Sequence, residues 1–367
     1  MRIMITGGGT GGHTSPAVAI LEELQRRDPQ LHVQWVGRRG GLEERIATGL
    51  AVPFRSVPVE GWPRKRAWRR LWVGAKLAVA IVRSGIYLWK FRPQIVVGVG
   101  GYVSLPLVWT AQQRKIPTIL HEQNKRLGMA NRVLAPRAAR VLLSYRDTIG
   151  EYPVEKARVV GNPVRAGFAH PLPTHEARKQ LGLEETIAVV LVSGGSQGAH
   201  TLNRAVQECL PQLQPEEVQI IWVTGQADFA EARRTTESAA VRTRAYAFTD
   251  QMAVACAAAD LLVCRAGAST TAEIAMLGKP SVLIPYPYAT DNHQEQNARA
   301  FEQAGAALVL SDQECSGTRL LEIVRELLGA TDRLRRMGEA ANTLAYPNAA
   351  EAIVDEILDV VFEESSR

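Results

Sequence analysis

Cysteine is scarce in this chain, and its four copies never pair as C-x-x-C or stand at ligand spacing from a histidine. That excludes a zinc knuckle or redox dithiol. Cys209, Cys256, Cys264 and Cys315 read instead as small buried hydrophobes of a reducing compartment. No two aspartates stand at D-x-D spacing, so a metal-bridged diphosphate lacks its usual pair of carboxylates. Long uncharged apolar runs are missing as well. The most apolar stretch, residues 71–91, holds Lys76, Arg83 and Lys90, each costly in hydrocarbon, so no spanning helix is expected. A secretory leader is not expected either, because strand residues start at Ile3 and glycines interrupt at Gly7.

What remains is a globular composition, with 46% apolar and 22% charged residues over 367 positions, enough for two domains with their own cores. The net charge of +6 hides an asymmetry. Residues 1–160 hold 26 Lys/Arg against 10 Asp/Glu, whereas 161–367 hold 17 against 27. The first half should meet something anionic: membrane, nucleic acid or a phosphorylated substrate.

Another absence narrows the choice. Gly7, Gly9 and Gly12 of GGGTGGHTSP satisfy G-x-G-x-x-G, the dinucleotide fingerprint. The second strand, HVQWVG, should then end on an acid for the ribose, yet Arg38 and Arg39 follow, with no acid before Glu43. A phosphate-bearing ligand other than NAD is favoured. Glycines serving only a tight turn would not explain five of them and His13.

Apolar runs of strand length alternate with helical patterns, which predicts α/β with parallel sheets. RIMIT, HVQWVG, PFRSVPV, QIVVGVG, PTILHE, RVLLSY and ARVVG fill the first half. IAVVLVSGG, VQIIWVTG, RTRAYAF, DLLVCRAG, PSVLIPYP and AALVL fill the second. Each half opens with a strand, a glycine loop and an amphipathic helix. The expectation is two Rossmann-like domains facing across a cleft, 1–163 and 164–345, with a final helix in 346–367 that can pack back on the first. In the first helix Ser15 suits the N-cap and Pro16 the first helical position.

GGSQGAH at 194–200 is the second glycine loop, where backbone N–H groups and Ser196 suit a diphosphate. In CRAGASTTAE at 264–273, Glu273 reads as a ribose acceptor, a capping-box glutamate after Thr270, or both. ATDNHQEQNA and LHEQNKRLGMANR place amides, imidazoles and carboxylates straight after strands, where they suit sugar hydroxyls. Residues 62–92 carry nine cations, no acid and four of the seven tryptophans. Trp62, Arg64, Lys65, Arg66, Trp68, Arg69, Arg70 and Trp72 mix aromatics with cations, which suits an anionic bilayer surface. No nucleic-acid motif accompanies them. Trp72, Ala75, Val79, Val82, Ile86 and Trp89 share an apolar stripe that packing on the sheet would explain.

GGGTGGH, GGYVSLP at 100–106, HEQN at 121–124, GNPVR at 161–165, GGSQGA and CRAGASTTAE appear in order along most of the chain. Together they resemble the MurG family, bacterial enzymes that add N-acetylglucosamine to undecaprenyl-pyrophosphoryl-MurNAc-pentapeptide, turning lipid I into lipid II in peptidoglycan synthesis. The resemblance implies a GT-B fold and an inverting transferase, peripheral on the cytoplasmic face of the bacterial inner membrane. It puts UDP-GlcNAc against Ser196, Thr249, Ser269, Thr270, Glu273 and Gln294, with Thr10, Gly11, Gly12, Asn124 and Arg165 reaching the donor from the first domain. His13, Tyr102 and Glu122 fall at the acceptor, with His13 the first candidate for general base and Glu122 the second. One position departs: Thr249 stands where an aliphatic residue is expected. With D-x-D missing, helix dipoles and cations would stabilise the leaving diphosphate, and no metal or other cofactor is expected. Two rivals remain, a UDP-GlcNAc 2-epimerase of the same fold and a non-catalytic membrane-docking protein.

Overall fold

Thirteen strands form two separate parallel sheets in the computed structural model, which describes residues 1–9, 11–61, 67–289 and 292–365. The first sheet holds β1 (Arg2–Thr6), β2 (His32–Gly37), β3 (Phe54–Ser56), β4 (Ile95–Gly98), β5 (Thr118–Glu122), β6 (Arg140–Leu143) and β7 (Ala157–Val159), in the order β3-β2-β1-β4-β5-β6-β7. The second holds β8 (Val189–Ser193), β9 (Gln219–Val223), β10 (Thr243–Tyr246), β11 (Leu261–Cys264), β12 (Ser281–Leu283) and β13 (Ala307–Val309), in the order β10-β9-β8-β11-β12-β13. Each predicted run forms one of these strands. Each sheet grows outward from its first strand in both directions, so its topological switch point lies between β1 and β4, or between β8 and β11. That is the doubly wound, Rossmann-like order.

Helices cover both faces of the first sheet, and the strand sequences show why. Ile3 and Ile5 enter one core while Met4 enters the other, and β4 repeats this with Ile95 and Val97 against Val96. A strand buried on both sides reads as an unbroken apolar run, unlike the alternation of a strand with one wet face.

The chain divides into two units, Met1–Arg165 with Asn348–Arg367, and Ala166–Pro347. The closing helix, Ala349–Ser365, therefore belongs to the first unit. Its Ile353, Val354, Ile357 and Val360 share a core with Ile3, Ile20, Leu24 and Trp35. Each such side chain contributes about 1.5–3 kcal/mol by burial. Arg27 pairs with Asp355 at the margin, and Arg140 with Glu356 at 3.1 Å.

The first helix corrects one expectation. It spans Gly11–Arg27, so Ser15 and Pro16 lie inside it and neither caps it. Pro16 is the sixth helical residue, past the first turn, so it forfeits an intrahelical bond to the carbonyl of Gly12. All four cysteines are buried and free. Burial pushes the thiols of Cys209 and Cys264 up to about 12 and that of Cys315 up to about 11, which leaves them inert.

Candidate functional site

In the first unit β1, β4 and β5 are neighbours, and the residues that follow them meet at one sheet edge. The first connection brings Gly11, Gly12 and His13, the second Tyr102, and the third Glu122 and Asn124. His13 is the third residue of its helix, with Nδ1 2.9 Å from Gln123 Oε1. The Tyr102 ring lies over Gly9, where a Cβ would stand 3.2 Å from its Cε1. Glu122 ends β5 almost wholly buried. Its Oε1 accepts from the Asn124 backbone N–H at 3.1 Å and Asn124 Nδ2 at 3.0 Å. Oε2 accepts from Gly128 N–H at 2.8 Å and Asn131 Nδ2 at 2.9 Å. Four donors on one carboxylate organise the loop from 124 to 131 and orient Asn124. Arg165, half-buried, closes this unit. Thr10, Trp62, Arg64, Lys65 and Arg66 lie outside the described residues, as does the Trp68 side chain.

Three buried polar groups behind this edge escaped the sequence reading. Glu43 is fully buried and faces the backbone of the glycine loop, taking hydrogen bonds from Arg38 N–H at 2.9 Å and Gly9 N–H at 3.4 Å. A Cβ at Gly8 would lie 2.5 Å from its carboxyl carbon, so the glycine makes room for the acid. The first acid after β2 thus buttresses the loop. His121 and Gln123 are buried too, which removes them from any set of sugar contacts. His121 Nε2 lies 3.0 Å from Gly161 O, and burial pushes its pKa down from 6.5 to about 4.

In the second unit the corresponding edge carries two helix starts on adjacent strands. Helix His200–Cys209 follows β8 and helix Ala268–Leu277 follows β11. Their N-cap residues, Ala199 and Gly267, make no side-chain capping bond. Helix N-termini suit an anionic group. Ser196 is exposed on the first of these loops, and Ser269 and Thr270 sit in the first turn of the second helix. Glu273 is half-buried at the sixth helical position, which excludes the capping-box role. Thr249 follows β10, its hydroxyl accepting from Gln251 N–H at 3.0 Å. Gln294 opens helix His293–Gln303 after β12, with Oε1 accepting from Tyr286 N–H at 3.0 Å. Buried Arg265 pairs with the partly exposed Asp312 at 2.6 Å and also donates to Ile284 O and Pro285 O, each at 3.2 Å, which holds the neighbouring strand ends.

Helix Ala67–Phe91 overturns the expectation for its stripe. Val73, Ala80, Ser84 and Leu88 are the buried face. Trp72, Val79, Val82, Ile86 and Trp89 point to solvent with Leu71, which is 80% exposed. Arg69, Lys76, Arg83 and Lys90 run along one border of that apolar face. The segment Arg69–Phe91 is long and apolar enough to cross a bilayer by length and composition. Its other face is nevertheless packed into the first unit's core, where Ala80 and Leu88 meet Val96, Leu107 and Val108.

Comparison with known proteins covers both units. Residues 3–143 match the glycosyltransferase family 28 N-terminal domain, and residues 189–353 the family 28 C-terminal domain. A UDP-N-acetylglucosamine–N-acetylmuramyl-(pentapeptide) pyrophosphoryl-undecaprenol N-acetylglucosamine transferase of Desulfitobacterium hafniense (strain Y51) is 39% identical, over 99% of this chain and 100% of its own. The protein of that name from Bacillus subtilis (strain 168) is 39% identical over 95% of this chain and 97% of its own. The crystal structure of Acinetobacter baumannii MurG matches with a TM-score of 0.74 and 29% identity, covering 98% of this chain and 99% of that one. A UDP-GlcNAc 2-epimerase from Neisseria meningitidis, solved bound to UDP-GlcNAc, matches with a TM-score of 0.66 over 98% of this chain and 100% of its own. At 15% identity that likeness shows the fold alone.

Proposed function

This chain belongs to the MurG family of glycosyltransferases, and on that premise we propose that its second unit holds UDP-GlcNAc while its first holds the lipid acceptor and the base. The enzyme moves N-acetylglucosamine from UDP-GlcNAc to lipid I in peptidoglycan synthesis. The observation that carries this is 39% identity along 99% of the chain to a transferase of that name.

The acceptor's MurNAc 4-hydroxyl attacks the anomeric carbon. As the new C–O bond forms, the bond to UDP breaks, its electron pair leaves on the diphosphate, and the configuration inverts. His13 takes the hydroxyl proton. Glu122 is the weaker candidate, because four donors already surround its carboxylate. The uncapped helix starts after Ala199 and Gly267, with Ser196, Ser269 and Thr270, receive the diphosphate. Glu273 accepts from the ribose hydroxyls, Gln294 contacts the sugar, and the backbone at Thr249 contacts the uracil. Gly11, Gly12, Asn124 and Arg165 reach the donor from the first unit, and Tyr102 contacts the acceptor.

The exposed face of helix Ala67–Phe91, bordered by cations, sets this unit on the anionic cytoplasmic surface of the bacterial inner membrane. Nucleic acid is not a partner in this reading. Transfer of labelled N-acetylglucosamine from UDP-GlcNAc to a lipid I analogue tests the function. The expected product is the disaccharide lipid. Conversion of UDP-GlcNAc to its 2-epimer with the acceptor untouched would replace this reading with the epimerase.

A further inference from the structure

The base assignment leaves open what holds the imidazole ready, since a histidine base needs a bare nitrogen toward its substrate and a proton on the other. Behind His13 runs a chain of buried groups. Gln123 is 1% exposed. Its Nε2 lies 3.0 Å from Val99 O and 3.2 Å from His121 O. Carbonyl oxygens only accept, so the amide nitrogen must be the atom that faces them. The same nitrogen is 2.8 Å from His121 Nδ1, and that bond fits. His121 donates from Nε2 to Gly161 O at 3.0 Å, which leaves its Nδ1 an acceptor. Burial keeps this ring neutral. The Gln123 side chain is therefore fixed in one orientation, with Oε1 turned to His13 Nδ1 at 2.9 Å.

We propose that Gln123 is a positioning residue whose Oε1 accepts a hydrogen bond from Nδ1–H of His13 and thereby keeps the Nε2 lone pair free for the acceptor hydroxyl. Glycines at 100 and 101 complete the seat. A Cβ at Gly100 would stand 3.0 Å from His13 Nδ1 and 3.4 Å from Gln123 Oε1, and one at Gly101 would stand 3.3 Å from His13 Cδ2. The ring thus rests on bare backbone, at two positions whose φ of +87° and +78° already favours glycine.

This inference rests on His13 being the base, and its test reads the ring directly. In full-length protein labelled with ¹⁵N-histidine, long-range ¹H–¹⁵N correlations report which ring nitrogen carries the proton, with His13→Gln supplying the assignment. At a pH where the ring is neutral, wild type should show a protonated Nδ1 and a bare Nε2. Gln123→Met should move the proton to Nε2, the tautomer free imidazole side chains prefer. It should also lower kcat on the order of 10²-fold with UDP-GlcNAc KM unchanged, as when a histidine base is left in the wrong tautomer. A wild-type Nε2–H, a proton that stays on Nδ1 in Gln123→Met, or a kcat within about twofold of wild type would each overturn the proposal. The first is read on wild type itself, with His13→Gln needed only for assignment. Full kcat in His13→Ala would instead remove the base assignment while the ring-nitrogen result stood, so the two failures are distinct.

Discussion

Two seven-residue loops of this protein, GGGTGGH and GGSQGAH, follow the first strand of their sheets and end on a histidine, yet the two histidines live differently. His13 is partly buried, bonded through Nδ1 to a buried amide and seated on glycine backbone. The His200 side chain is 78% exposed, with Nδ1 3.2 Å from Asp228. A shared motif sets the path of the backbone. The residues around the loop set its chemistry: Glu43 and Gln123 in the first unit, two neighbouring helix starts in the second. The same contrast holds on the outside, where only the first half is rich in cations.

The largest effect expected from this contrast concerns the membrane. Replacing Leu71, Val82 and Trp89 with serine removes solvent-facing apolar area and should weaken binding to anionic vesicles on the order of 10³-fold. Changing Arg64, Lys65, Arg66, Arg69 and Arg70 to glutamine should act through charge, at about 1 kcal/mol each, and reduce the salt sensitivity of binding. Flotation and a melting curve check both variants. Each should leave vesicles without losing its fold, and unfolding with vesicle affinity retained would break the comparison.

A smaller effect follows from His121. Its pKa of about 4 lies below the ordinary 6.5, so the unfolded chain takes up a proton that the folded chain refuses between those values. The contribution of neutral His121 is fully present above pH 6.5 and is lost as the pH falls toward 4, by roughly 3 kcal/mol in all. From pH 6.5 toward 4 the melting temperature of wild type should fall more steeply than that of His121→Gln, so that the wild-type advantage shrinks toward acid. Parallel curves would contradict the buried neutral ring.

The smallest effect sharpens the second unit. Glu273→Gln should weaken UDP-GlcNAc binding by about 1–3 kcal/mol. A lower melting temperature with unchanged donor KM would leave the residue a structural role only.

The strands were legible because parallel strands buried on both faces read as unbroken apolar runs. The start of the first helix was not. Ser15 and Pro16 look like a beginning, but the chain turns so tightly on its glycines that Gly11 is already helical. Helix Ala67–Phe91 has two apolar faces, Val73 to Leu88 and Leu71 to Trp89, and periodicity cannot say which one meets the sheet. Glu43, His121 and Gln123 were illegible for another reason: polar residues that turn inward carry no pattern. The glycines beside them were the available trace, since Gly8, Gly100 and Gly101 are small where those groups or His13 need space.

The division between the two loops is tested most directly by kcat and UDP-GlcNAc KM for His13→Ala beside Ser196→Ala, at saturating lipid I analogue. His13→Ala should lose kcat by about 10²–10⁴-fold with donor KM nearly unchanged, because the base acts only in the transition state. Ser196→Ala should raise donor KM and leave kcat close to wild type. Near-normal kcat in His13→Ala, with the loss falling on donor KM instead, would contradict the account.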